Sequence, residues 1–381
     1  MIDCIDDFAG LTSAPQQLLK GIVAIMASAS IPTLSGITAR TVETERLTTR
    51  VLFSGLDNNI PVLFIHGNAS SATFFEETMM ALPNGYRGIA PDLRGYGDAD
   101  REKKIDATRG PADLSDDMAA LLDMLQLNTV HVVGHSLGGS VIWQMLIDHS
   151  DRIRTVTQIA PCSPFGFGGT KDNKGTLCFP DSAGSGGGVV NAEFARLISE
   201  GYRGEDNQTA PRVVMNNFYW KPPFRPSREE DLLSSLLSEH IGPQEYPGDS
   251  TPSENWPLSA PGVWGAINAT SAKYVGDVSR LYHIAHQPPI LWIRGDADQI
   301  VSDLSLFDVG FLGQIGAIPG WPGANVFPPQ PMIGQTRAVL QQYARSGGTF
   351  EEVVIPDCGH TPFIEKPDEF NTALHAHITK A

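Results

Sequence analysis

An α/β fold, built on a mostly parallel central sheet with helices on both faces, is predicted by three features of this 381-residue chain. Short apolar runs at residues 61–65, 129–133 and 289–293 have the continuity expected of strands buried on both faces. Segments with helical spacing alternate with them, most clearly Leu114, Met118, Leu121, Leu122 and Leu125. Between the strand at 129–133 and a helix-like stretch at 140–147 stands Gly134-His135-Ser136-Leu137-Gly138-Gly139, a sharp turn with small residues on both sides.

In chain order, residues 38–47 and 48–54 read as opening antiparallel strands, followed by a turn at 55–59. Strands at 61–65 and 86–90 come next, then the helix at 114–125, the strand and turn at 129–136, a helix to about 149 and a strand at 153–160. After Pro161 the texture changes to Gly-rich loops at 166–169 and 184–188, a Pro-rich stretch and scattered helix signals. The sheet pattern resumes at 289–295. A second Gly/Pro-rich segment at 310–331, a helix at 335–345, a strand at 352–355 and a terminal helix at 368–379 complete the chain. The expected organisation is an N-terminal helical extension at 1–37, a first core part at 38–160, an inserted cap at 161–288 and a second core part at 289–381.

Composition narrows the function. Forty-three acidic against 27 basic residues give a formal charge of −16, which argues against nucleic acid or an anionic membrane surface as partner. Four cysteines (Cys4, Cys162, Cys178, Cys358) are too few for a disulfide scaffold, and reduced thiols are expected, although Cys162 and Cys178 flank a Gly-rich loop and could pair. Residues 21–29 resemble a short secretory core. The acidic Asp3, Asp6 and Asp7 before it oppose that role, so an amphipathic helix near 15–29 and a cytoplasmic location are expected. No run is long and apolar enough to span a bilayer.

The turn around Ser136 carries the chemistry. Strand, turn and helix in that order force the central residue into a strained backbone and expose its hydroxyl at the head of a helix, whose positive end favours developing negative charge. A serine hydroxyl is a weak nucleophile without a base. His360 lies in a loop directly after the last strand, and Asp296 and Asp298 follow the strand at 289–295. These residues point to a serine hydrolase that needs no cofactor and no metal. Asp172, Asn173 and Asp181 match no calcium-loop spacing.

Five motifs stand in a fixed order: His66-Gly67-Asn68, Asp92-Leu93-Arg94-Gly95-Tyr96-Gly97, Gly134 to Gly139, Gly295-x-x-Asp298-x-x-Val301 and Gly359-His360-x-Pro362-x-x-Glu365. In these the chain resembles a capped, serine esterase-like member of the α/β-hydrolase superfamily, over about residues 38–160 and 289–380. The resemblance implies a catalytic triad of Ser136, Asp298 and His360, with Asp298 preferred over Asp296 by its spacing from Gly295 and Val301. It implies an oxyanion hole from the backbone amides of Leu137 and Asn68, with Ala69 as the lesser candidate for the second. Asp92, Arg94 and His66 are expected to brace the site, and His135 to point away and pack.

Serine at the elbow separates this chain from epoxide hydrolase-like and dehalogenase-like branches, which would need Asp there. The expected substrate is a small to medium carboxylic ester or lactone enclosed by the cap. Alternatives on the same residues are C–C, amide or perhydrolase chemistry. C–C cleavage would want a cap cation for a carboxylate, for which Arg212, Lys221, Arg225 and Arg228 are available. A low-turnover ligand receptor is the alternative of a different class.

Overall fold

The computed structural model describes residues 31–380. The expected helix near 15–29, Cys4 and most of the 1–37 extension lie outside the described residues. The main sheet has eight strands: β1 (Thr38–Glu43), β2 (Thr48–Phe53), β3 (Ile60–Ile65), β4 (Tyr86–Pro91), β5 (Val130–His135), β6 (Ile153–Ile159), β7 (Ile290–Gly295) and β8 (Phe350–Ile355). Their order across the sheet is β1-β2-β4-β3-β5-β6-β7-β8. β2 is antiparallel to both neighbours, and every pairing from β4 to β8 is parallel.

Period-two alternation along β3 builds a core on each face. Val62 and Phe64 pack on one side with Phe370, Leu374 and Ile378, whereas Leu63 and Ile65 join Leu114, Leu121, Val141 and Leu340 on the other. The helices concerned are α1 (Ala112–Met124), α2 (Leu137–His149), α5 (Met332–Arg345) and α6 (Pro367–Thr379). Two further helices, α3 (Ala192–Ser199) and α4 (Glu229–Leu236), lie in the long connection between β6 and β7. No helix among the described residues is long and apolar enough to cross a membrane.

The first strand is shorter than expected, because the Thr44 hydroxyl oxygen accepts the Arg46 and Leu47 amides and turns the chain after Glu43. Within the Gly/Pro-rich 310–331 region a short helix at Val309–Gln314 starts where Asp308 accepts the Phe311 amide. The glycines at 166–169 and 184–188 are packed against other chain segments. A β-carbon on Gly168 would approach the Gly184 carbonyl to 2.6 Å, and one on Gly166 would lie 2.5 Å from the Ala272 nitrogen. The two loops bridge each other through Gly168 and Ser185. Cys162, Cys178 and Cys358 are free thiols.

Gly138 lets α2 sit directly on β3, for a β-carbon there would overlap the Ile65 carbonyl oxygen. Gly138→Ala should therefore destabilise the fold by about 1–3 kcal/mol, read as a lower midpoint in chemical denaturation; an unchanged midpoint would count against this packing.

Candidate active site

Ser136 stands between β5 and α2 with φ 54° and ψ −113°, a conformation that costs a non-glycine residue on the order of 1–3 kcal/mol. Three backbone bonds over-determine it. Its amide donates to the Ile159 carbonyl at 2.9 Å, and its carbonyl accepts the Cys162 amide at 3.1 Å and the Gly139 amide at 2.9 Å. Leu137 opens α2, so its N–H belongs to the first turn, whose amides have no intrahelical acceptor.

Asp298 and His360 meet. The two amides of Ile300 and Val301 bind Oδ1 of Asp298 at 2.8 and 3.0 Å. That leaves Oδ2 to take the Nδ1 proton of His360 at 2.8 Å. Asp296 does not reach the histidine and instead accepts the Asp357 amide at 2.7 Å, as a turn residue does. The imidazole of His360 therefore keeps Nε2 as its free acceptor. Burial pushes the pKa of the Cys162 thiol, whose backbone amide binds the Ser136 carbonyl, up to about 11. Cys162 is accordingly a neutral thiol at the site. Cys358 is buried, and burial raises its pKa as well.

His135 departs from expectation. It does not merely pack away from the site, for its Nε2 donates to the backbone carbonyl of His360 at 3.0 Å, and the two rings lie 4.6 Å apart. Burial, then the neighbouring His360, holds His135 neutral, which keeps this donor tautomer available. Glu365 braces the same loop from the other side. Its Oε2 accepts the Gly359 amide at 2.7 Å and the Lys221 amide at 3.1 Å. Thr361 adds two bonds to the Tyr219 carbonyl, from its amide at 2.8 Å and its hydroxyl at 2.7 Å. Sequence reasoning placed Glu365 in a motif without a role; its position six residues after Gly359 was the available signal.

The loop after β3 holds Asn68 and Ala69, the latter at φ 44°. The Asn68 side chain accepts the Tyr96 hydroxyl at 2.9 Å, and the Ala69 carbonyl accepts the Tyr219 hydroxyl at 2.9 Å. His66 spans this loop and the next: Nδ1 donates to the Gly67 carbonyl at 2.8 Å, and Nε2 accepts the Leu93 amide at 3.0 Å. Asp92 binds the Ala72 amide, the Asp98 amide and Arg50, and Arg94 forms a double contact with Asp117. These two residues hold loops in place and do not reach Ser136.

The four cations considered for holding a substrate carboxylate are all engaged. Arg212 pairs with Glu229 and Glu230, Lys221 with Asp357, Arg225 with Glu229 and Glu205, and Arg228 with Glu76 and Asp231. Asp172 and Asp181 accept loop amides of their own segments. Among the described residues no group of three or more His, Cys, Asp or Glu side chains is arranged to hold a metal ion.

Residues 60–184 match the family model described as the alpha/beta hydrolase fold. Epoxide hydrolase A of Mycobacterium tuberculosis is 32% identical over 124 residues, which is 32% of this chain and 38% of that protein. The chain thus spans about a third of the length of the curated relatives it matches. Among solved structures, carboxylesterase CesB (YbfK) from Bacillus subtilis superposes with a TM-score of 0.54 at 17% identity, over 96% of this chain and 99% of that one. The 2-hydroxy-6-oxo-6-phenylhexa-2,4-dienoate hydrolase from a Rhodococcus strain gives 0.54 at 16% identity, over 90% of this chain and 99% of that one. At such identities these structures speak for the fold.

Two measurements follow from this geometry. Asp298→Asn would leave the shape intact but favour the wrong His360 tautomer, and should lower kcat by about 10⁴-fold with little change in KM; a loss under tenfold would remove Asp298 from this role. The second concerns His66, whose pKa burial drives from 6.5 down to about 4. The unfolded chain binds this proton at 6.5 and the folded one resists it until about 4. Its contribution is therefore present above pH 6.5 and lost as pH falls from 6.5 to 4, on the order of 3 kcal/mol in all. Urea denaturation at pH 7, 5.5 and 4.5 should show this slope, flattened in His66→Asn relative to wild type.

Proposed function

We propose that this chain, which has the alpha/beta hydrolase fold, is a serine hydrolase acting through an acyl-enzyme on small to medium carboxylic esters or lactones. The observation that carries the reading is the 2.8 Å Asp298–His360 contact, together with a buried serine at a strained elbow whose neighbour His135 binds the His360 carbonyl.

In this reading Ser136 attacks the ester carbonyl as His360 removes its proton. The oxygen that becomes negative is received by the amides of Leu137 and Asn68. Each such donor is worth about 10²–10³ in rate, because it is aimed before charge develops. The alkoxide leaves with the proton from His360, and water then repeats the steps on the acyl-Ser136 ester. Asp298 holds the imidazole orientation and stabilises its cation without taking the proton. His135, Glu365 and Thr361 position the His360 loop. No cofactor takes part.

Serine at this position also bears on the relatives named epoxide hydrolases. A serine that opened an epoxide would become an ether, which has no carbonyl for water to attack, so the enzyme would stall after one turnover. A carboxylic ester leaves a hydrolysable acyl group instead. The engaged cap cations speak against C–C cleavage of a substrate that needs its carboxylate held, since each would have to abandon an acidic partner. In this reading the segment at 161–288 is a cap that restricts access and favours short acyl chains, in keeping with the low exposure of Ser136, 7%, and His360, 2%.

Hydrolysis of p-nitrophenyl esters from acetyl to dodecanoyl should peak at short chains and fall to background in Ser136→Ala. Silence of folded wild-type protein across the panel would overturn the esterase reading, and a maximum at dodecanoyl would overturn the restricting cap.

A further inference from the structure

One buried acid beside the site has no assigned partner. Glu239 follows α4, and its segment is held against the loop after β4 by bonds from the Gly97 amide to the Ser238 carbonyl and from the His240 amide to the Gly95 carbonyl. The side chain is 3% exposed, and neither carboxyl oxygen completes a hydrogen bond. Leaving such a group unpaired costs about 1–3 kcal/mol, and natural cores avoid it unless something else meets the group.

The segment lies against the loop that carries Asn68, for the Ser235 and Ser71 hydroxyls meet at 2.6 Å. Tyr96 stands between the two glycines that bind this segment, the Tyr246 amide binds the His240 carbonyl, and burial keeps the phenols of Tyr96, Tyr219 and Tyr246 protonated. Two of these hydroxyl protons are already committed, that of Tyr96 to Asn68 and that of Tyr219 to the Ala69 carbonyl. Among the described residues no cation offsets the burial of Glu239, whose pKa is pushed well above the usual carboxylate range. A carboxyl in the neutral form offers one O–H donor and one carbonyl acceptor together, which suits an uncharged oxygen function and disfavours a carboxylate.

We propose that Glu239, flanked by Tyr96, Tyr219 and Tyr246, forms a polar subsite beside the Asn68–Ala69 loop that binds a hydroxyl or keto oxygen carried by the substrate. The proposal rests on the serine-hydrolase reading above and narrows it to oxygenated esters. The Asn68–Ala69 loop supplies the connection between the two: Tyr96 donates to the Asn68 side chain and Tyr219 to the Ala69 carbonyl, and the amide of Asn68 is the proposed oxyanion donor. A substrate whose ester carbonyl lies at Leu137 and Asn68 would thus carry its second oxygen a few bonds away, toward Glu239. Discrimination by a buried hydrogen-bonding site is strong, since an unoxygenated substrate leaves the site's own groups unpaired.

The test compares kcat/KM for ethyl butanoate with that for ethyl 3-hydroxybutanoate, ethyl 3-oxobutanoate and 2-hydroxyethyl butanoate, in wild type, Glu239→Gln and Glu239→Leu. At least one oxygenated ester should be preferred about tenfold or more by wild type. Gln, which also offers a donor and an acceptor, should keep most of that ratio, and Leu should bring it close to one. No preference in wild type, or a ratio that survives in Glu239→Leu, overturns the proposal; so does a fall of all substrates by one common factor, which would make Glu239 a positioning residue. A preference confined to an ammonium-bearing ester such as acetylcholine would also overturn it, because the acid would then act as an anion. Titration of ethyl 3-hydroxybutanoate and ethyl butanoate into Ser136→Ala, with and without Glu239→Leu, reads the subsite without turnover. Binding of the hydroxylated ester that depends on Glu239, in a protein whose wild type hydrolyses none of the esters, would sink the esterase chemistry and leave the subsite standing. Equal binding of both esters would sink the subsite.

Discussion

The backbone of Ser136 is the constraint around which the molecule is arranged. A residue at φ 54° is unstable by itself, and it persists because β6 and the chain after it bind its amide and carbonyl while α2 starts beneath it. That arrangement needs α2 to approach β3 more closely than a side chain allows, which is the reason for Gly138. The sheet order follows the same need. β3 and β6 flank β5, so the Asn68 loop arrives on one side of Ser136 and the chain leading to Cys162 on the other. Fold and candidate site are one packing problem.

Much of this was readable from residue order, and the reasons are physical. Strands such as Ile60–Ile65 and Ile290–Gly295 are buried on both faces, so their apolar continuity carries their identity. The elbow was legible because its glycines are required by contact. Asp298 could be separated from Asp296 by spacing, and the geometry agrees, since Asp298 contacts His360 whereas Asp296 binds the Asp357 amide. What was illegible depends on contacts between segments far apart in sequence. His135 reaches a residue 225 positions away, and Glu365 one 144 positions away. No periodicity encodes such pairs. The short helix at Val309–Gln314 was hidden by its glycines, although Asp308 marked its start.

Electrostatically the site is divided. Three histidines, His66, His135 and His360, stand near Ser136, yet burial keeps the first two neutral, so each acts as a fixed hydrogen-bonding wedge. His360 alone is paired with a carboxylate among these three. In the proposed reaction, proton transfer would be confined to one imidazole. Burial likewise pushes the Glu239 carboxyl well above the usual carboxylate range, which disfavours its negative charge.

The carboxylate of Glu365 grips two chains at once: the amide before His360 and the amide of Lys221, within the segment connecting β6 to β7. Thr361 binds that same segment through Tyr219. These bonds tie the segment connecting β6 to β7 to the loop that carries His360. Displacing that segment at this edge would carry the imidazole with it, so the proposed hydrolysis would depend on the two staying joined.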